Sequence, residues 1–98
     1  MHKVNISLQI LPTSNTKHPY SIVDKAIEII AESGLVYKVC PFETVMEGDY
    51  DTIMETIKKV HLTCLQEGAE SIFANVKMQI SRDADVTISD KIEKYKQS

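Results

Sequence analysis

The sequence predicts an α+β fold, because its apolar residues change their spacing several times along a chain of 98 residues. Some stretches alternate apolar and polar residues, which is typical of half-buried strands. Others place apolar residues every three or four positions, as amphipathic helices do. The order of these stretches is strand, helix, strand, strand, helix, strand, with a short segment after the last strand.

Four strands are expected. The first, Val4 to Ile10, alternates strictly and is expected to end before Pro12, since proline cannot donate a bond to a neighbouring strand. The second and third, Leu35 to Cys40 and Phe42 to Glu47, are separated by too few residues for a helix and should form a hairpin. The fourth, Ser71 to Ile80, alternates over its whole length.

Two helices separate these strands. The first is expected from Tyr20 to Ser33, with a capping box at Ser21. The second has apolar residues at intervals of three and four and ends at Gly68. Its first turn is expected to be capped by a carboxylate, from either Asp49 or Asp51.

This order of elements is the ferredoxin-like βαββαβ arrangement, a four-stranded antiparallel sheet with two helices on one face. The segment from Thr87 to Ser98 predicts a short C-terminal helix, which either frays or docks, a neighbouring subunit being a natural place. Residues 1–98 are therefore expected to form one ferredoxin-like domain. The sheet face away from the two helices is mixed in polarity, which leaves room for another copy to cover it; it carries Asn5, Ser7, Gln9, Lys38, Cys40, Phe73, Asn75, Lys77 and Gln79.

The composition argues against several classes of protein. A net charge of −3 and a pI of about 5.5 give no basic footprint for nucleic acid or an anionic membrane. The chain has neither a signal-peptide pattern nor an apolar run long enough to span a membrane. Its two cysteines cannot form the disulfide scaffold of a small secreted domain. A cytoplasmic protein is expected.

Catalytic and metal-binding patterns are weak. Glu43 and Glu47 share one strand face at a separation of about 13 Å, which exceeds the roughly 5 to 9.5 Å that paired catalytic carboxylates need. His61 and Cys64 form an H-x-x-C pair on the apolar stripe of the second helix, without the paired spacings of a zinc site. A Cys–His nucleophile would lack substrate access there. No enzyme, metal or cofactor is expected.

A binding site is the remaining interpretation of the third strand. Glu47 ends that strand and Gly48 follows, so the backbone could approach a ligand closely. Thr44 adds a hydroxyl and Gln9 of the first strand adds an amide. The predicted ligand-binding residues are thus Gln9, Thr44, Glu47 and Gly48. The structural alternative is a solvated Glu47 and a glycine that serves only as a turn.

The stretch from Glu32 to Asp51, ESGLVYKVCPFETVMEGDYD, resembles the ESGL-x-Y…P-x-x-T-x-x-EG signature of small bacterial thiamine-binding proteins, the single-domain relatives of YkoF-like proteins. The resemblance extends through LQILP near the amino terminus and SRDAD after the fourth strand. It implies a non-catalytic protein that binds thiamine or its hydroxymethylpyrimidine moiety without a metal, as a homodimer or homotetramer. The motif positions that carry over are Thr44, Glu47 and Gly48.

Two functions therefore remain open. One is a binding protein that stores, senses or delivers thiamine or hydroxymethylpyrimidine, which would be a ligand and not a cofactor. The other is a self-assembling interaction domain without a small-molecule ligand, because this fold hosts many unrelated functions. The first loop, TSNTKHPY, departs from some relatives, which leaves its contact with a ligand open.

Overall fold

The computed structural model describes residues 1–95, with the backbone alone at residue 94. The elements in chain order are β1 (Val4–Thr13), α1 (Pro19–Glu32), β2 (Val36–Val39), β3 (Thr44–Gly48), α2 (Tyr50–Gln66), β4 (Ser71–Gln79), α3 (Ile88–Ile92) and a 3-10 turn at Glu93–Tyr95. The last three residues of the predicted tail helix lie outside the part of the chain that is described.

The four strands form one antiparallel sheet in the order β2-β3-β1-β4. Strand β1 lies in the middle, where its Ser7 is opposite Val45 of β3 and Lys77 of β4. Helices α1 and α2 pack on one face, and the short α3 follows the last strand. The predicted ferredoxin-like fold is confirmed.

Strand β1 is longer than its sequence pattern predicts, because it continues through Pro12 to Thr13. Its last pair with β3 is Leu8 with Thr44, whereas its pairing with β4 continues to the end. The carbonyl of Thr13 accepts a bond from the Glu70 N–H, on the β4 side of β1. Backbone groups of successive strand residues point to opposite sides, so those of Pro12 point away from β4, to a side where β3 no longer pairs with β1. A proline costs no ladder bond there.

The cap of α1 differs from the prediction. His18, and not Ser21, is the N-cap, and its Nδ1 accepts the Tyr20 N–H at 3.2 Å. Proline at the next position favours this start, because it has no amide hydrogen to satisfy in the first turn. The predicted cap of α2 is confirmed at Asp49, which accepts the Thr52 N–H at 3.1 Å.

The core lies between the sheet and the two long helices. Each of these elements contributes its apolar stripe, and the fully or almost fully buried residues are Val4, Ile6, Leu8, Ile22, Ala26, Ile30, Met46, Ile53, Ile57, Val60 and Cys64. No helix in residues 1–95 is long and apolar enough to cross a membrane.

Replacing Ile53 with alanine should destabilise the fold by about 2 to 5 kcal/mol, because the residue is fully buried and its removal leaves a cavity. Leu62→Ala is the matched control on the same helix, since Leu62 is 50% exposed and should change stability by about 0.5 kcal/mol. Chemical denaturation followed by circular dichroism measures both. Equal destabilisation of the two variants would contradict this assignment of the core.

Candidate functional site

Strand β3 presents its motif residues to both faces of the sheet. Thr44 and Met46 point towards the helices, while Val45 and Glu47 point to the opposite, open face. Both Thr44 and Glu47 are buried, at 7% and 8% exposure. The structure therefore does not bring these two predicted site residues together on one face.

Glu47 is covered by the C-terminal helix. Its Oε1 accepts the N–H of Ile88, the first residue of α3, at 3.0 Å. The hydroxyl of Thr87 accepts a bond from another amide of the first turn, that of Asp90, at 3.1 Å. The two side chains satisfy amide groups that a helix start leaves unpaired. Helix α3 thus docks on the open face of its own sheet, a contact that the strand pattern did not reveal.

Asn5 forms the second attachment of α3. It lies opposite Glu47 in the sheet and is 5% exposed. Its Nδ2 donates to the carbonyl of Met46 at 2.9 Å, and its Oδ1 accepts from the ammonium of Lys91 at 2.6 Å. The carbonyl of Met46 orients the amide, which in turn holds the lysine. Alternation alone indicates only that Asn5 faces away from the core.

The segment before α3 is tied to the start of β1. Val86 N–H donates to the carbonyl of Lys3 at 2.9 Å, and the Lys3 N–H donates to Asp85 Oδ1 at 2.8 Å. The Lys3 amide, and to a smaller extent His2, hold the pKa of the exposed Asp85 carboxyl below its ordinary value. These bonds attach the segment before α3 to the start of β1, close to the Glu47 carboxylate that accepts the Ile88 amide.

Gly48 has a backbone conformation that favours glycine, and it lies close to the side chain of Leu35. A Cβ at this position would lie 2.5 Å from Cδ2 of Leu35, and the φ angle of +156° is one that residues with side chains rarely adopt. The close approach thus serves a contact within the protein.

A cleft opens where β1 continues beyond its last pair with β3, Leu8 with Thr44. It is called the notch cleft below. Its volume is about 260 Å³. Two predicted site residues, Gln9 and Thr44, line it together with Glu43, Tyr20 and Phe42. The remaining lining residues come from β1, α1 and the β2–β3 connection: Leu8, Ile10, Leu11, Val23, Ala26, Ile27, Ile30, Val39, Cys40 and Pro41.

Several polar groups in the notch cleft have spare hydrogen-bonding capacity. Within residues 1–95, neither the Thr44 hydroxyl nor the Glu43 carboxylate forms a side-chain hydrogen bond or ion pair. Gln9 follows Leu8 in β1, so its side chain points to the opposite, open face from Thr44, where its Oε1 accepts from Asn75 at 3.0 Å. The exposed rings of Tyr20 and Phe42 were not predicted as site residues, because they lie in a helix start and a loop without a recognisable motif.

A model of the family described as thiamine-binding protein matches residues 6–96. The chain belongs to the thiamine-binding protein family. This confirms the membership that the T-x-x-E-G stretch indicated.

Three relatives of this family member extend along nearly its whole length. UPF0045 protein CPE1503 of Clostridium perfringens is 40% identical over 96 residues, which are 98% of this chain and 100% of that protein. The structure of a domain of unknown function, DUF77, from Bacillus cereus has a TM-score of 0.94 at 36% identity and covers 97% of this chain and 91% of its own. A Thermotoga maritima protein (TM0486), described provisionally as a thiamine biosynthesis/salvage protein, has a TM-score of 0.86 at 28% identity, with coverages of 96% and 99%.

This thiamine-binding family member has a second cleft, on the open sheet face beside α3; it is called the tail-helix cleft below. Its volume is about 440 Å³. Three lysines line it, Lys38, Lys77 and Lys91, with Glu43 as the one acidic residue among the described lining. The notch cleft, in contrast, contains Glu43 and no lysine or arginine among its described lining residues. Glu47 lines neither cleft, because α3 covers it.

The H-x-x-C pair of this family member belongs to the helix that packs on the core. Cys64 is fully buried, and burial raises the pKa of its thiol, which disfavours the reactive thiolate. His61 has a buried Nε2 without a hydrogen-bond partner among residues 1–95. No group of three or more His, Cys, Asp or Glu within these residues could hold a metal ion. The pair thus has the setting of core residues.

Replacing Glu47 with alanine should release α3 from the sheet, because the Ile88 amide would lose its acceptor. We expect faster hydrogen exchange at Ile88 and a loss of about 1 to 2 kcal/mol in stability. Glu47→Gln retains an oxygen acceptor and should keep most of the protection. Amide exchange measured by NMR tests this.

Glu43→Ala is the matched control, since Glu43 directly precedes β3 and its carboxylate forms no bond to a described residue. Unchanged exchange of the Ile88 amide in Glu47→Ala would show that the carboxylate does not hold the helix.

Proposed function

We propose that the protein is a non-catalytic binding protein for thiamine, and that the hydroxymethylpyrimidine half of the ligand enters the notch cleft. The observation that carries this proposal is the unpaired Thr44 hydroxyl in a cleft whose described lining holds the Glu43 carboxylate and no basic side chain. The notch cleft is better suited to a cation than the tail-helix cleft, which three lysines line.

The hydrogen-bonding groups match an aminopyrimidine. Its exocyclic amino group is a donor, which the Glu43 carboxylate can accept, and its ring nitrogens are acceptors, to which the Thr44 hydroxyl can donate. A bond to a carboxylate is stronger than one between neutral groups. The backbone N–H and C=O of Ile10 point to the same side of β1 as the backbone of Pro12, beyond the last pair with β3. They offer a further donor and acceptor at the wall of the cleft.

Charge favours the notch cleft over the tail-helix cleft. The thiazolium ring of thiamine is a fixed cation, which the three lysines of the tail-helix cleft would repel. Tyr20 and Phe42 lie at the rim of the notch cleft, and aromatic faces attract cations. Its volume of about 260 Å³ lies just below the range of about 300 to 1,000 Å³ for drug-sized ligands. It suits the pyrimidine half, with the thiazolium at the rim.

The site chemistry supports binding over catalysis. The buried Cys64 has no access to the notch cleft, and Glu43 has no second carboxylate among the described lining residues. A protein of this kind would store, sense or deliver its ligand. We assign Glu47 and Gly48 structural roles. Glu47 binds the first amide of α3, and Gly48 leaves space for the side chain of Leu35.

Assembly into a homodimer or homotetramer is part of the proposal. Strand β4 is an edge of the sheet and spans nine residues, so one row of its backbone groups is available for pairing. Phe73 and Val76 of this strand are 67% and 45% exposed. Apolar exposure along an unpaired edge favours contact with a second copy.

Thermal unfolding is the first test of ligand binding. Thiamine and hydroxymethylpyrimidine should each raise the melting temperature, because a ligand that binds only the native state stabilises it. At a hundred times Kd the gain is about 2.7 kcal/mol, or about 10 °C for a domain of this size. Choline is the control for a cation without the pyrimidine. No rise with either ligand at millimolar concentration would contradict the proposal.

A Thr44→Val variant tests the cleft itself. It keeps the shape of the side chain and removes the hydroxyl, so the affinity for hydroxymethylpyrimidine should fall about three- to tenfold. The matched control is Thr56→Val, because Thr56 is equally buried but donates to the carbonyl of Thr52 within α2 at 2.8 Å. Titration calorimetry would contradict this placement if Thr44→Val bound as tightly as the parent.

A further inference from the structure

The tail-helix cleft has a charge opposite to that of the chain. Lys38, Lys77 and Lys91 give its lining three positive charges against one negative charge from Glu43, while the whole chain has a formal charge of −3. None of the three lysines forms an ion pair with a residue in the described part of the chain. Acidic residues outnumber basic ones in the chain, 14 to 11, yet Glu43 is the one acidic residue among the described lining of this cleft.

The sheet register arranges two of these lysines around a shallow floor. Lys38 of β2 is opposite Val45 of β3, which is opposite Ser7 of β1, which is opposite Lys77 of β4. The two lysines are thus separated by three strand spacings, about 14 Å. The small side chains of Val45 and Ser7 lie between them, so the row is low in the middle and charged at both ends.

Helix α3 supplies the third charge and an apolar wall. The ammonium of Lys91 is held by Asn5 at 2.6 Å, and Asn5 is itself fixed by a bond to the Met46 carbonyl. Ile88 and Ile92 line the cleft from the same helix. The bond between Glu47 and Ile88 therefore positions this wall as well as the helix.

We propose that the tail-helix cleft binds a phosphate monoester that carries a small apolar group. The phosphate would lie over the row between Lys38 and Lys77, within reach of Lys91, and the apolar group would contact Ile88 and Ile92. The described linings of the two clefts share Cys40 and Glu43, but the lysines and isoleucines proposed to contact the phosphate monoester line only the tail-helix cleft, so the proposal does not depend on thiamine binding.

The charge favours a dianion over a carboxylate. A phosphate monoester carries about −1.5 to −2 charges at pH 7, which matches the net charge of the cleft. Lysine binds phosphate as a point charge with three donors, so ammonium groups that approach from three directions suit it. Glu43 lies at the end away from α3, next to Cys40, and would be avoided by the anion.

The volume is large enough for the whole ligand. At about 440 Å³ the cleft falls inside the range of about 300 to 1,000 Å³ in which small-molecule sites lie. The ligand would therefore be larger than inorganic phosphate and would gain affinity from its apolar group.

The test uses phenyl phosphate as the probe, titrated into the labelled full chain at low salt and followed by amide NMR. Saturable shifts should centre on Ser7, Val45 and Ile88. Affinity should exceed that of inorganic phosphate, which lacks the apolar group, and of benzoate, which carries one charge. Rising salt should weaken it, because partly exposed charges are screened.

Lysine variants show whether the cleft is responsible. Lys38→Met and Lys77→Met should each weaken phenyl phosphate binding by about tenfold, and both are exposed, so the fold should persist. Lys25→Met on α1 has the same change of charge far from the cleft and should bind like the parent. The proposal is overturned if no shift saturates, if benzoate binds as tightly, or if Lys25→Met has the same effect as the cleft variants. Since phenyl phosphate has no aminopyrimidine, its binding and that of thiamine are tested separately.

Discussion

The pairing register of the central strand is the constraint on which the other features depend. Strand β1 pairs with β3 on one side and with β4 on the other, so a shift by one residue would exchange its buried and open faces. In the observed register Val4, Ile6 and Leu8 are buried in the core. The same register aligns Ser7 with the two lysines across the sheet.

The unequal lengths of β1 and β3 create the notch cleft. Strand β3 starts at Thr44, opposite Leu8, while β1 continues to Thr13 along β4. The chain before Thr44 has to turn away, which leaves a gap between the β2–β3 connection, α1 and the free edge of β1. Pro12 is compatible with this edge because it has no amide hydrogen that would need a partner there.

The C-terminal helix depends on tertiary contacts. A five-residue helix is too short to be stable alone in water, because the cost of its first turn is not recovered. Three contacts with the start and centre of the sheet hold it: Val86 to Lys3, Ile88 to Glu47 and Lys91 to Asn5. The partners are far apart in sequence, so no local pattern contains this information.

The sequence predicted what depends on short-range periodicity. Alternation identified all four strands, and the aspartate at the start of α2 was a correct cap, because both are decided within a few residues. The end of β1 was wrong, since pairing with β4 outweighs the tendency of Pro12 to interrupt a strand. The cap of α1 was wrong too, because Pro19 starts the helix two residues before Ser21.

The structure places the predicted site residues in different surroundings. Gln9 and Thr44 both line the notch cleft, but their side chains point to opposite faces of the sheet. Glu47 was expected beside them, but its surroundings are set by α3, whose first residue comes 41 residues later in the chain. Tyr20 and Phe42 carry no motif, and only the folded chain shows that they reach the same cleft.

The spacing of the T-x-x-E-G motif explains this division. Side chains three residues apart in a strand point to opposite faces, so Thr44 and Glu47 cannot both face one side of the sheet. The side chain of Met46 is buried in the core under the helices, and Val45 lies on the floor of the tail-helix cleft. Each position of the motif therefore has its own surroundings: Thr44 faces the notch cleft, Glu47 holds α3, and Gly48 leaves space for Leu35. The residues of one strand motif can thus have separate structural and binding roles without forming a single contact surface.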